Sequence, residues 1–86
     1  MNEMHDVIRA WRRNRPRAGA QLRSLRLAAG LTQLDLAAQS GITHEAISRL
    51  ELGNRAPRAE TIRRLASALG IDPADFVRQP TPPADV

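Results

Sequence analysis

Apolar residues recur at intervals of three and four along most of this 86-residue chain, which is the period of an amphipathic helix. The pattern predicts helices over residues 18–29, 32–39, 43–52 and 59–69, and a short fifth helix that begins after Asp72. No stretch alternates between apolar and polar residues as a half-buried strand would. We therefore expect an all-α domain built around one core.

Capping residues predict where the two central helices begin. Thr32 is followed by Asp35 at the spacing of a capping box, and Thr43 stands before the next helix. Gly41 lies between the two helices and permits a sharp turn. Two short helices joined in this way cross at a steep angle. This is the helix-turn-helix layout, in which the second helix enters the major groove of DNA.

The N-terminal segment over residues 3–13 carries apolar residues at helical spacing, namely Met4, Val7, Ile8 and Trp11. Pro16 ends this pattern, because the residue before a proline is pushed away from helical backbone angles. An isolated helix of this length is marginally stable unless it docks. The segment is therefore either a helix packed on the core or on a partner, or a mobile basic arm.

These patterns divide the chain into three parts. Residues 1–17 are expected to form a basic N-terminal extension, and residues 18–79 the helix-turn-helix domain. Residues 80–86 hold prolines and no apolar period, so we expect a disordered tail.

Composition narrows the class of function. A chain of 86 residues has room for one small domain, and the absence of cysteine excludes disulfides and thiolate metal sites and permits a cytoplasmic location. His5 and His44 lack a third metal ligand at a suitable spacing. The chain shows neither a nucleophile–base arrangement nor a phosphate-binding glycine loop. We expect no enzyme activity, no cofactor, no metal and no membrane span.

The charge is unevenly distributed. All 13 basic residues are arginine, and residues 1–17 hold five of them against Glu3 and Asp6, which places +3 of the net +4 there. Such a balance is compatible with binding to nucleic acid, although a solvated surface has the same composition.

The run from Leu31 to Pro57, LTQLDLAAQSGITHEAISRLELGNRAP, resembles the Cro and phage-repressor class of helix-turn-helix domains. The agreeing positions are Thr32, Gln33, Leu36, Ala37, Gly41, Ile47, Ser48, Glu51, Gly53 and Pro57. With its flanks, the resemblance covers about residues 20–78. It implies a five-helix, lambda-repressor-like fold, preceded here by the N-terminal helix or arm. It also implies a DNA-binding transcriptional regulator that acts as a dimer.

Four side chains on the helix over residues 43–52 are expected to read bases, namely His44, Glu45, Ser48 and Arg49. The N-terminal residues of a recognition helix reach base edges. Arg49 suits guanine and Glu45 suits cytosine. Two alternatives stay open: Glu45 and Arg49 are also an i,i+4 surface pair, and His44 is as readily a solvated histidine.

The resemblance also implies phosphate contacts from Gln33, Thr43, Asn54, Arg55 and Arg58. For Gln33 the alternative is a solvated surface glutamine. The resemblance further implies an ion pair between Arg26 and Glu51 that ties two helices together, the alternative being two unrelated surface charges.

The expected function is a repressor that binds a palindromic operator in double-stranded DNA as a homodimer, through residues 43–52. The alternative is a protein-interaction module, such as the antitoxin of a toxin–antitoxin pair. Such a module would hold its partner through the N-terminal segment and use DNA binding for autoregulation. RNA binding through the N-terminal arginines is the weakest reading, because the chain lacks the aromatic surfaces on which bases stack.

Overall fold

The computed structural model describes residues 3–78, which form five α-helices and one 3₁₀ helix. They are α1 (Glu3–Arg13), α2 (Arg15–Ala28), α3 (Gln33–Ser40), α4 (His44–Glu51), α5 (Ala59–Leu69) and the 3₁₀ helix Pro73–Phe76. No strand occurs among these residues, which confirms the prediction of an all-α fold. None of the helices within residues 3–78 combines the length and apolarity needed to cross a bilayer. The predicted tail over residues 80–86 lies outside the described residues.

The central helices begin at the predicted caps. The Thr32 hydroxyl accepts a hydrogen bond from the Asp35 N–H at 3.0 Å, and the Asp35 carboxylate accepts one from the Thr32 N–H at 2.9 Å. The Thr43 hydroxyl accepts from the Ala46 N–H at 3.1 Å, which caps α4. Gly41 ends α3 with a φ of +76°, a backbone angle that side-chain-bearing residues rarely adopt. Local capping chemistry thus sets the start of both helices.

The start of α2 differs from the prediction. The helix begins at Arg15, not at residue 18, because Asn14 caps it by accepting a hydrogen bond from the Arg17 N–H at 3.3 Å. Pro16 lies in the first turn, where its missing N–H has no helical partner to lose. The proline that ends the apolar pattern of α1 therefore also helps to begin α2.

One core runs through the molecule and includes α1. Val7 and Trp11 of α1 are buried, and the Trp11 ring lies 5.4 Å from that of Phe76 in the 3₁₀ helix. The other buried apolar residues are Ala18, Leu22, Leu36, Ile47, Leu50, Ile62, Leu65 and Ala66. Of the readings left open for the N-terminal segment, the structure shows a helix packed on the core of its own chain.

Helices α2 and α4 cross with their backbones in contact at Gly19. A Cβ atom at Gly19 would lie 2.2 Å from the carbonyl oxygen of Leu50 and 2.9 Å from that of Glu51. A real Cβ never approaches so closely, so only glycine allows this crossing. The contact sets how far α4 stands from α2, and with it the position of the exposed face of α4.

Candidate nucleic-acid interface

A buried ion pair holds the C-terminal end of α4 against α2. Arg26 Nε donates to Glu51 Oε2 at 2.7 Å and Arg26 Nη2 donates to Glu51 Oε1 at 3.0 Å, while Nη1 donates to the Leu31 carbonyl at 2.8 Å. The two side chains are 8% and 4% exposed. The hydrogen bond to the Glu51 carboxylate raises the pKa of Arg26 above its usual value. Arg26 thus ties α2 both to α4 and to the loop before α3.

Gln33 extends this pair to the start of α4. Its Nε2 donates to Glu51 Oε1 at 3.0 Å, and its Oε1 lies 3.0 Å from Nε2 of His44. A carboxylate only accepts hydrogen bonds, so the amide nitrogen of Gln33 must face Glu51 and the amide oxygen must face His44. In the unbound protein, therefore, the Gln33 amide links the ion pair to the first residue of α4.

The opposite face of α4 is open to solvent. His44, Glu45 and Arg49 are exposed and Ser48 is partly exposed, whereas Ile47 and Leu50 are buried beneath them. The carboxylate of Glu45 lies 3.8 Å from Arg49 Nη2, with side-chain exposures of 78% for Glu45 and 52% for Arg49. An exposed pair at this distance contributes only a few tenths of a kcal/mol. Both side chains are therefore free to turn towards a ligand.

Basic side chains flank α4 on the side of the loop that leads to α5. Asn54, Arg55 and Arg58 are exposed, and Arg58 precedes α5 without making a side-chain cap. Arg55 and Arg58 line one open cleft of about 410 Å³ that also includes Ala46 of α4. Two guanidinium groups thus stand beside the exposed helix, where a polyanion lying against α4 would meet them.

Comparison with known proteins assigns the chain to a family. Residues 22–76 match the helix-turn-helix family. The chain belongs to this family of DNA-binding transcriptional regulators. The resemblance noted in the sequence is thereby confirmed.

Two relatives carry regulator names. The chain is 35% identical over 65 residues to an uncharacterized HTH-type transcriptional regulator from Mycobacterium tuberculosis, an alignment that covers 76% of this chain and 25% of that protein. It is 48% identical over 54 residues to the HTH-type transcriptional repressor RghR from Bacillus subtilis, covering 62% of this chain and 40% of RghR. The chain thus spans a quarter to two fifths of the length of these relatives.

A solved structure shows the same fold. The restriction-modification controller protein C.AhdI from Aeromonas hydrophila superposes with a TM-score of 0.69 at 38% identity, covering 71% of this chain and 92% of C.AhdI. The lambda-repressor-like arrangement expected from the sequence is therefore the fold of this chain.

Two features of this candidate interface are not predicted by the pattern of the sequence. Gly19 carries no turn or cap signal, because its role depends on a neighbouring helix. The link from Gln33 to His44 joins residues 11 positions apart on different helices, so no helical spacing predicts it.

Within residues 3–78 no three carboxylate or imidazole side chains are grouped as a metal ion would require.

Proposed function

We propose that this chain is a repressor that binds a palindromic operator as a homodimer, with α4 in the major groove of each half-site. The observation that carries the proposal is the exposed polar face of α4, which is held from behind by the Arg26–Glu51 ion pair. A reading helix needs a fixed position and free side chains, and α4 has both. The similarity to the repressor RghR supports repression as the kind of regulation.

The side chains divide by the chemistry that each offers. Arg49 presents a guanidinium that can donate two hydrogen bonds to guanine, and Glu45 can accept one from cytosine N4. Ser48 and His44 add further donors and acceptors on the same face. The proposed phosphate contacts, which position the domain without reading sequence, are Gln33, Thr43, Asn54, Arg55 and Arg58.

The size of α4 is an argument for two copies of the chain. Its 8 residues span about 12 Å at 1.5 Å per residue, which matches about three to four base pairs. So short a site recurs too often in any genome to select one operator. A homodimer that places two α4 helices about 34–36 Å apart reads a second half-site one helical turn away. The proposal therefore includes a two-fold symmetric assembly.

Selection of bound duplexes from a random pool tests this function. We expect enrichment of a palindrome whose half-sites are centred about one helical turn apart. Enrichment of a single unrepeated half-site would contradict the homodimer. Recovery of no common sequence would contradict sequence-specific binding altogether.

A matched pair of variants then tests the reading role of Arg49. Arg49→Ala should weaken binding to the selected duplex by about 1–3 kcal/mol and change binding to random duplex much less. Arg63→Ala is the control, because Arg63 is also an exposed arginine but lines a cleft beside the C-terminal end of α3. An equal loss on selected and random DNA would make Arg49 a phosphate contact only.

A further inference from the structure

We infer that His44 reads DNA through Nδ1, as an acceptor when the ring is neutral and as a donor when it is protonated. The inference rests on the proposed function, because it assumes that α4 lies in the major groove. It follows from a chain of hydrogen bonds that begins at the buried ion pair and ends on the imidazole ring.

The direction of each hydrogen bond is set by the one before it. Both oxygens of Glu51 receive donors from Arg26, and Oε1 also receives the Gln33 amide nitrogen at 3.0 Å. Since that nitrogen faces Glu51, the amide oxygen of Gln33 faces His44, and the second N–H of the amide is left for the proposed phosphate contact. A swap of the amide would place its oxygen against a carboxylate buried to 4% exposure, which is electrostatically unfavourable.

The amide oxygen in turn determines which ring nitrogen carries the proton. Oε1 of Gln33 can only accept, and it lies 3.0 Å from His44 Nε2, so Nε2 must donate. This holds for the neutral ring and for the imidazolium ion alike. Within residues 3–78 no hydrogen-bonding partner is seen for Nδ1, and the residue is exposed. Nδ1 is therefore the ring atom left for a base.

The consequence is a reversal of hydrogen-bond polarity at one position of each half-site. A neutral His44 accepts at Nδ1 and matches the amino group of adenine or cytosine. A protonated His44 donates and matches the acceptors of guanine, thymine or adenine, so adenine fits both forms, cytosine only the neutral ring, and guanine and thymine only the protonated ring. Histidine is the side chain whose charge ordinarily changes within the pH range where DNA binding is measured. Base preference at this position should therefore depend on pH.

Other ionisable groups near His44 do not share this behaviour. Those on the same helix are Glu45, Arg49 and Glu51, α3 contributes only Asp35, and α2 contributes Arg26 through the ion pair. Carboxylates are ordinarily ionised and arginine ordinarily protonated throughout the neutral range. Only histidine changes charge between about pH 5.5 and 8. The remaining histidine within the chain, His5, lies exposed on α1 and serves as a control.

The first experiment examines the unbound protein by nitrogen-15 NMR of the histidine rings. We expect His44 to be a single Nε2–H tautomer at about pH 8, whereas His5 shows the mixture of a free imidazole. In Gln33→Ala, the ring of His44 should show the same mixture of tautomers as that of His5. If the ring proton of wild-type His44 lies on Nδ1, or if its mixture of tautomers equals that of His5, the inference is overturned and the proposed function is unaffected.

The second experiment repeats duplex selection with the full chain at about pH 5.5 and about pH 8. In wild type and in His5→Gln, the base preferred at one position per half-site should shift on acidification away from cytosine and towards guanine or thymine, which present only acceptors in the major groove. The change in relative affinity should be about fivefold or more, the cost of an unmatched hydrogen-bonding group. In His44→Gln, any duplex that is selected should show the same base preference at both pH values.

The two experiments separate the two proposals. A palindrome with the same base preference at both pH values refutes the role of Nδ1 and leaves the repressor function standing. Absence of any selected duplex at either pH refutes the function itself. A pH-dependent shift that survives in His44→Gln also refutes the role of Nδ1.

Discussion

Replacement of Arg26 by methionine should remove a large part of the stability of this domain. The substitution deletes two hydrogen bonds to Glu51 and one to the Leu31 carbonyl, and it leaves the Glu51 carboxylate, 4% exposed, without its counter-charge. Breaking a buried pair in this way typically costs about 3–5 kcal/mol. A chain of 86 residues has a total unfolding free energy of about 4–13 kcal/mol. The loss therefore runs from about a quarter of that total to all of it.

Urea unfolding followed by tryptophan fluorescence measures this change. Trp11 is the single tryptophan of the chain and is fully buried against Phe76, so its emission reports loss of the core. The midpoint should fall without a change in the denaturant slope. In thermal unfolding, the melting temperature should fall by at least about 12 °C, from about 4 °C per kcal/mol for a domain of this size.

Arg23→Met is the matched control, because Arg23 lies exposed on the same helix three residues earlier. It should change stability by no more than about 0.5 kcal/mol. The double variant Arg26→Met/Glu51→Met should be less destabilised than Arg26→Met alone, since no buried charge is then left unpaired. A melting temperature for Arg26→Met within about 2 °C of that of Arg23→Met would refute the reasoning.

Three further predictions concern the packing and the caps. Gly19→Ala should lower the urea midpoint and the free energy of unfolding, the latter by about 1–3 kcal/mol, because the new Cβ would lie 2.2 Å from the Leu50 carbonyl oxygen. An unchanged midpoint would show that α2 and α4 separate freely. Thr32 donates its backbone N–H to Asp35 and holds the pKa of that carboxylate below its usual 3.8. The pKa of Asp35 is therefore lower in the folded state than in the unfolded state, so its stabilisation is present above pH 3.8 and is lost as the pH falls further. The melting temperatures of Asp35→Asn and wild type should converge in acid. Trp11→Ala should cost about 3–5 kcal/mol by circular dichroism, and a much smaller loss would mean that α1 contributes little to the core.

The helices of the central unit could be located from the sequence because the interactions that begin and end them are local. The Thr32–Asp35 capping box and the left-handed Gly41 each involve residues within four positions of one another. At Pro16 the local pattern predicts only the end of the first helix, whereas the same proline also lies in the first turn of α2. The docking of α1 does not follow from its local pattern, because it depends on the apolar surface available elsewhere in the fold.

The sequence by itself determined which face of α4 is free. The 100° step between residues places Ile47 and Leu50 inward and leaves Glu45, Ser48 and Arg49 on the outside, whatever packs against the helix. Only the tertiary structure decided how His44 is held. The pairs Arg26–Glu51, Gln33–Glu51 and Gln33–His44 join residues 25, 18 and 11 positions apart. They meet because α2, α3 and α4 pack together, and hydrogen bonds between separate helices leave no period in the chain.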